Sequence, residues 1–489
     1  MVFADLLTFV ALTVSLPRTV RWMRYSAPIA LLIAVAQVLV EGARWRMIPA
    51  YVLTGMFLLA WLLKNIAPAG QPAEQKRTHR VAFCSAVGMG VLGLAVSIAL
   101  PTVLPVFRFP HPSGRYEIGT LTYDWVDASR QEVFSADPNA RRELMAQIWY
   151  PAKKDSSSPR APYIADANVV APALARLFHL PEFTFGHLKY VTTNAISSAP
   201  VSDDQPSYPV LIFLEGLDGF RQMNTFQVEE LVSRGYVVAA IDQPYTAASV
   251  VFPDGRQVAG LSKDQINVLI QQSVEPVESA PTLNGRALKD GIIPYLAQDA
   301  MFTLDQLTAL NQADPNGILT GRLDVQRAGI FGVSLGGITV NEACRLDPRF
   351  QACLVMDAPT PADVVKAGLQ QPTMWITRDA KTMQLEGWPQ ADIDQTQTTM
   401  RAAFESLRGD GYFVQVPGMF HVNLTDIPNW SPLFPRLGVT GPIDGQRAHD
   451  VISMYSVAFF DRHLIGSPAA LLDGPASKYP EVLFETRQP

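Results

Sequence analysis

Charge is scarce in these 489 residues: Asp, Glu, Lys and Arg together make up 17% of the chain, against about 25% in an ordinary soluble domain. The net charge is -6 and no Lys- or Arg-rich stripe occurs, so nothing offers the basic surface that a nucleic-acid backbone requires. Nucleic acid is therefore not an expected partner. Cysteine is nearly absent as well. Cys84, Cys344 and Cys353 form neither a metal-ligand spacing nor a disulfide framework, and no metal site is expected. Cys344 and Cys353 read best as two small buried apolar residues, with a bridge in an oxidising compartment as the alternative.

The missing charge is concentrated at the N-terminus. Four apolar segments, at residues 6–17, 25–40, 49–63 and 81–100, organise residues 1–107 into a region of about four helices, the last continuing past Pro101. The fourth segment has 20 residues without a charge, enough to cross a hydrocarbon core. The other three are shorter and could also be interfacial or buried helices. Arg18, Arg21 and Arg24 follow the first segment, Lys76, Arg77 and Arg80 precede the fourth, and only Arg44 and Arg46 separate the second from the third. If all four cross, the positive-inside rule sends everything after Leu100 to the outer side of the membrane, the periplasm or cell exterior. A cleavable signal peptide fits poorly, because Asp5 rather than a basic group precedes the first apolar run. No ionisable residue sits in the middle of a segment, so an anchor is expected rather than a transporter or sensor.

From Tyr116 onward the pattern becomes that of an α/β protein. Short apolar runs at 144–150, 209–214, 236–242, 327–333, 351–357, 373–377 and 412–416 alternate with helical patterns such as Leu296, Ala300, Leu304, Leu307 and Leu310. Continuous rather than alternating apolar runs indicate strands buried on both faces, hence a mostly parallel, doubly wound sheet over residues 115–489. Two stretches richer in Pro, Ser and polar residues, 153–207 and 252–292, are expected as caps or long loops over the carboxyl edge of the sheet.

Gly332-Val333-Ser334-Leu335-Gly336 follows one apolar run and opens a helical pattern, which is the context of the nucleophile elbow in the α/β-hydrolase fold. A serine hydroxyl needs a base, and in this fold the order along the chain is Ser, acid, His. Of seven histidines, His79, His111, His179 and His187 precede Ser334, while His449 and His463 flank or occupy the final helix. That leaves His421, in a loop after the run 412–416. Asp357 and Asp379 each end a strand, and either could orient the imidazole. Backbone N–H groups of Leu335 and, from the loop Glu215-Gly216-Leu217-Asp218-Gly219-Phe220, of Leu217 are the expected oxyanion donors.

The run from Arg141 to Pro151, the loop Glu215 to Arg221, the run Gly235 to Asp242, the elbow, Asp347-Pro348-Arg349-Phe350, and His421 with Asp426 give residues 115–466 a combined pattern. It resembles bacterial relatives of platelet-activating-factor acetylhydrolase. The resemblance implies Asp357 as the triad acid, with Asp379 as runner-up. It also implies ester substrates with short or oxidised acyl chains, phospholipids among them, and no cofactor; the apolar N-terminal region, outside the resemblance, adds the expectation of a bacterial inner-membrane setting. Three positions depart from the family pattern: Glu215 and Val333 stand where histidine is usual, and Gln243-Pro244-Tyr245 where His-Pro-Tyr is usual. A carboxylate at Glu215 could oppose charge developing on an oxyanion. It is the best support for the alternative reading, a catalytically silent, membrane-bound binding module.

Overall fold

A computed structural model describes residues 1–14, 17–66, 76–154 and 158–488, with side chains at 21, 24, 66 and 76–82 outside the description. The side chains of Arg21, Arg24, Lys76, Arg77, His79 and Arg80, weighed above, thus lie outside the described residues. Two compact units divide the chain, Met1–Val106 and Phe107–Pro489.

Among the described residues the first unit holds four α-helices: α1 (Val2–Thr13), α2 (Ser26–Glu41), α3 (Ile48–Ile66) and α4 (Lys76–Val103). Among the described residues, Trp45–Asn65 and Phe83–Val103, 21 residues each, are long and apolar enough to cross a bilayer, whereas α1 and α2 are too short to span one unaided. The surface is apolar, with Leu39, Val40, Leu63 and Leu92 more than half exposed. The interior includes small and polar residues: Ala27, Ala30 and Ala50 are fully enclosed, and the Thr8 hydroxyl lies 2.8 Å from Ser26 Oγ. Asp5, which the sequence places ahead of the first apolar run, lies inside this unit with both carboxylate oxygens 3.0 Å from Thr54 Oγ1.

The second unit is built on strands β1 (Glu117–Gln131), β2 (Arg141–Ala152), β3 (Arg160–Pro162), β4 (Thr192–Ser197), β5 (Tyr208–Leu214), β6 (Val237–Asp242), β7 (Ser249–Val251), β8 (Gln257–Ala259), β9 (Thr282–Leu283), β10 (Arg286–Ala287), β11 (Leu323–Val333), β12 (Phe350–Met356), β13 (Thr373–Thr377), β14 (Gly411–Gln415) and β15 (Leu483–Arg487). Eleven of them form one sheet in the order β15-β14-β13-β12-β11-β5-β6-β2-β1-β4-β3. From β6 through β14 every neighbouring pair is parallel. The helices are α5 (Ala167–Leu177), α6 (Thr225–Ser233), α7 (Lys263–Val274), α8 (Ile293–Gln312), α9 (Leu335–Leu346), α10 (Ala362–Ala367), α11 (Ala380–Glu386), α12 (Gln390–Ser406) and α13 (Gly445–Phe460).

Alternation along β5 explains the layers. Val210, Ile212 and Leu214 pack with Leu296, Leu304 and Ile338 of α8 and α9, while Leu211 and Phe213 pack with Leu231, Ile452 and Tyr455 of α6 and α13. Every residue of β5 is buried, and each such aliphatic side chain contributes roughly 1.5–3 kcal/mol of transfer free energy. All seven apolar runs fall on strands of this sheet, overrunning a strand end by no more than one residue.

Three features differ from the sequence reading. The region 153–207 is not wholly a cap, because β3 and β4 extend the sheet beyond β1; between them α5 covers other ground. Strand β1 escapes the apolar-run criterion because polar residues alternate along it, and β15 because its last three residues, Glu485-Thr486-Arg487, are polar. Finally, Cys344 and Cys353 are not two free buried thiols but a disulfide joining α9 to β12. The helix that follows Ser334 and the strand that precedes Asp357 bring them together.

Candidate active site

Ser334 stands between β11 and α9 with φ 57, a left-handed backbone that costs an L-residue energy and persists only where the surroundings impose it. The surroundings are backbone on every side. A Cβ at Gly332 would lie 2.6 Å from Gly336 C, and one at Gly336 would lie 2.1 Å from Leu214 O. Both positions therefore exclude any side chain, and the turn between them lifts the serine above the sheet.

Asp357 directly follows β12 and also has a positive φ, 47. Its Oδ2 is 2.6 Å from His421 Nδ1, and its Oδ1 accepts the Thr377 hydroxyl at 2.7 Å. Burial alone would raise this carboxyl. The nearby Arg378 guanidinium, then His421 and the Thr377 hydroxyl, outweigh burial and hold it well below the usual carboxylate range. Asp379 has a different task. Its side chain accepts Thr382 N–H and caps α11, and Thr382 Oγ1 in turn accepts the N–H of Gly418, in the loop leading to His421.

His421 opens a short 3-10 turn after β14. Its backbone N–H donates to Glu386, 3.1 Å from Oε2, and Asn423 Oδ1 accepts the N–H groups of Phe420 and Gly441, which fixes the turn. Ser334 and His421 line one cavity of about 230 Å³. The direct Ser334–His421 hydrogen bond expected from the sequence is not formed among the described residues; such contacts commonly tighten only when substrate binds. Leu174, Leu177, Phe178, Val422 and Ile427 supply the apolar lining.

Gly216 and Leu217 line the same cavity. A Cβ at Gly216 would stand 3.2 Å from Ser334 Cβ, so the loop backbone runs directly against the serine. Leu335 is the first residue of α9, where an N–H has no acceptor within the helix. These are the two positions expected to supply oxyanion donors.

Glu215 behaves otherwise than expected. It is 2% exposed, and its Oε1 accepts the Gln243 N–H at 2.9 Å. Burial first, and the neighbouring Asp242 second, push its pKa well above the ordinary glutamate value. The neutral acid is thus favoured, and a neutral group does not repel a developing oxyanion.

Sequence reasoning missed Arg378. It is fully buried, with Nε 2.8 Å from Asp357 Oδ2 and a second ion pair to Glu386. Its guanidinium lies over the Trp388 ring at 4.2 Å, and that ring is 5.4 Å from the His421 ring. The Thr377-Arg378 pair at the end of the apolar run 373–377 was the signal the sequence offered. Its partner could be named only once β12 and β13 were known to be neighbours.

Residues 103–467 match the family described as platelet-activating factor acetylhydrolase, isoform II. Over 357 residues the chain is 23% identical to a platelet-activating factor acetylhydrolase of Gallus gallus, covering 65% of this chain and 77% of the relative. Over 431 residues it is 23% identical to a probable 1-alkyl-2-acetylglycerophosphocholine esterase of Arthroderma benhamiae, covering 81% of this chain and 98% of that one. Among solved structures it is similar to a ferulic acid esterase from Streptomyces cinnamoneus, with a TM-score of 0.59 and 29% identity, covering 77% of this chain and 99% of the other.

Proposed function

Because the chain belongs to the platelet-activating factor acetylhydrolase isoform II family and is a carboxylic ester hydrolase, we propose that Ser334, His421 and Asp357 are its catalytic triad and that short or oxidised acyl esters of lipids are its substrates. The observation that carries this reading is the 2.6 Å contact between His421 Nδ1 and Asp357 Oδ2, with Ser334 on the wall of the same cavity. His421 takes the hydroxyl proton as Ser334 Oγ attacks the ester carbonyl, and the N–H groups of Leu217 and Leu335 receive the oxyanion. His421 then returns the proton to the departing alkoxide, leaving an acyl-serine. A water activated by the same imidazole releases the acid and restores Ser334. Each step uses side chains and backbone N–H groups and calls on no metal or organic cofactor.

The limited cavity, about 230 Å³, supports short acyl groups, and its apolar lining supports a lipid-like substrate. The two long apolar helical stretches of the first unit support anchoring in a bacterial inner membrane. The Cys344–Cys353 bridge supports a hydrolase unit on the oxidising side, facing the periplasm or exterior. Labelling of the full chain with a fluorophosphonate probe, alongside hydrolysis of p-nitrophenyl esters from acetate to dodecanoate, tests the chemistry. Wild type is expected to label and to prefer the shorter esters, while Ser334→Ala does neither; undiminished turnover by Ser334→Ala would defeat the reading.

A further inference from the structure

Asp218 immediately follows Leu217 in the loop after β5 and lines the cavity that holds Ser334 and His421. Its backbone is left-handed, φ 59, a conformation in which glycine is at ease and an aspartate is tolerated at a cost. The loop is pinned there: Asp218 N–H donates to Thr246 O at 2.8 Å, and Gly219 N–H to Gly216 O at 2.9 Å. The residue is 8% exposed. Yet among the described residues its carboxylate makes no hydrogen bond or ion pair, and Oδ2 is buried without a partner. A strained backbone carrying an unpaired acid beside a nucleophile is a combination that folding alone disfavours, and such combinations collect where ligands bind.

The neighbours narrow the ligand. Lys263, the first residue of α7, lines the same cavity and forms no ion pair among the described residues. An ammonium or quaternary ammonium group would meet the Lys263 charge, and a carboxylate or phosphate would meet Asp218. A neutral hydroxyl avoids both repulsions, since its O–H can donate to the carboxylate while its lone pairs face the lysine. Leu174, Leu177, Phe178, Val422 and Ile427 on the same wall accept hydrocarbon, and Thr425 adds a neutral hydroxyl.

We propose that Asp218 is a specificity-determining residue that accepts a hydrogen bond from a hydroxyl group carried by the ester substrate, on its acyl or its alcohol part. This rests on the reading of Ser334 as nucleophile. A site built around a hydrogen bond rejects the analogue lacking it, because its own polar group is then left unpaired.

The test uses the full chain and paired esters. p-Nitrophenyl butyrate against p-nitrophenyl 3-hydroxybutyrate examines the acyl part, and ethyl butyrate against 2-hydroxyethyl butyrate, followed by pH-stat titration, examines the alcohol. Butyrylcholine supplies the cationic arm. In at least one pair the hydroxylated ester is expected to have the higher kcat/KM, by about tenfold or more. Asp218→Gly, which suits the positive φ but removes the acceptor, is expected to bring that ratio close to one. Asp218→Asn, which keeps one acceptor oxygen, is expected to hold an intermediate ratio. Equal rates on both members of both pairs in wild type would overturn the proposal, as would an unchanged ratio in Asp218→Gly or a preference for butyrylcholine above every other ester. Any of these with plain esters still hydrolysed leaves the triad standing; absence of all turnover and of Ser334 labelling brings down both.

Discussion

Arg378 Nε lies 2.8 Å from the Asp357 oxygen, Oδ2, that also meets His421 Nδ1 at 2.6 Å. One buried carboxylate thus serves an arginine and the imidazole at once. Deleting the cation leaves that charge in a low-dielectric interior, where breaking a buried pair costs about 3–5 kcal/mol. Arg378→Met is therefore expected to destabilise the hydrolase unit by about 3 kcal/mol in urea unfolding followed by tryptophan fluorescence. Asp357 is depressed in the folded state, so its stabilisation is present above its unfolded value of about 4 and is lost as pH falls below that. Removing Arg378 raises the folded value toward the unfolded one, so the acid-dependent loss becomes smaller and is complete at a higher pH. A loss under about 1 kcal/mol with an unmoved acid limb would mean that the pair is dispensable.

The two candidate acids separate by geometry and should separate in kinetics. Asp357→Asn removes the group that holds the His421 tautomer and is expected to lower kcat on p-nitrophenyl butyrate by on the order of a thousandfold or more, with little change in KM. Asp379→Asn alters the cap of α11, and touches His421 only through Thr382 and the Gly418 loop. It is expected to cost about 1 kcal/mol or less of stability and to leave kcat within a few-fold. Inactivity of Asp379→Asn beside a competent Asp357→Asn would reverse the assignment.

What could be read from the chain and what could not follow from how locally each feature is determined. The elbow was legible because Gly332, Ser334 and Gly336 meet a steric demand within five residues, and β5, β6 and β11 to β14 because strands buried on both faces are written as unbroken apolar runs. Choosing between Asp357 and Asp379 by spacing alone was not possible, since both end strands; the difference lies in which strand end faces His421. The charge state of Glu215 was not legible for a related reason. Its charge state depends on Asp242, 27 residues away in sequence, and on burial that only the assembled sheet creates. The Cys344–Cys353 bridge depends equally on α9 folding back against β12.

That bridge closes a loop of sequence separation 9, and loop-closure entropy assigns such a cross-link about 2–3 kcal/mol. It ties the helix after Ser334 to the strand before Asp357. Cys344→Ala/Cys353→Ala is accordingly expected to lose about 2–3 kcal/mol in urea unfolding, with dithiothreitol producing the same shift in wild type and none in the double variant. Equal midpoints for oxidised, reduced and double-variant protein would show the bridge to be energetically silent.

His449 gives a pH dependence with a definite sign. The ring is buried, stacked on Phe226 with centroids 3.8 Å apart, and its Nε2 donates to Thr425 O at 2.8 Å. Burial drives its pKa down to about 4, against the opposing effect of the Thr425 contact. Between about pH 6.5 and 4 the unfolded chain binds a proton that the folded chain refuses. The stability associated with the neutral ring is whole above 6.5 and declines as the medium is acidified through that window, by up to about 3 kcal/mol. Glu229 works in the other direction: desolvation raises it to about 7, so its contribution is present below about 4.5 and fades as pH climbs through 7. The two slopes oppose each other in wild type and hide in a simple Tm profile. Comparing wild type with His449→Gln isolates the histidine, because Glu229 and the depressed His463 are common to both proteins. The Tm advantage of wild type is expected to be largest near pH 7.5 and to shrink steadily toward pH 4.5. A difference that stays constant over that range would mean His449 is protonated equally in the folded and unfolded chain.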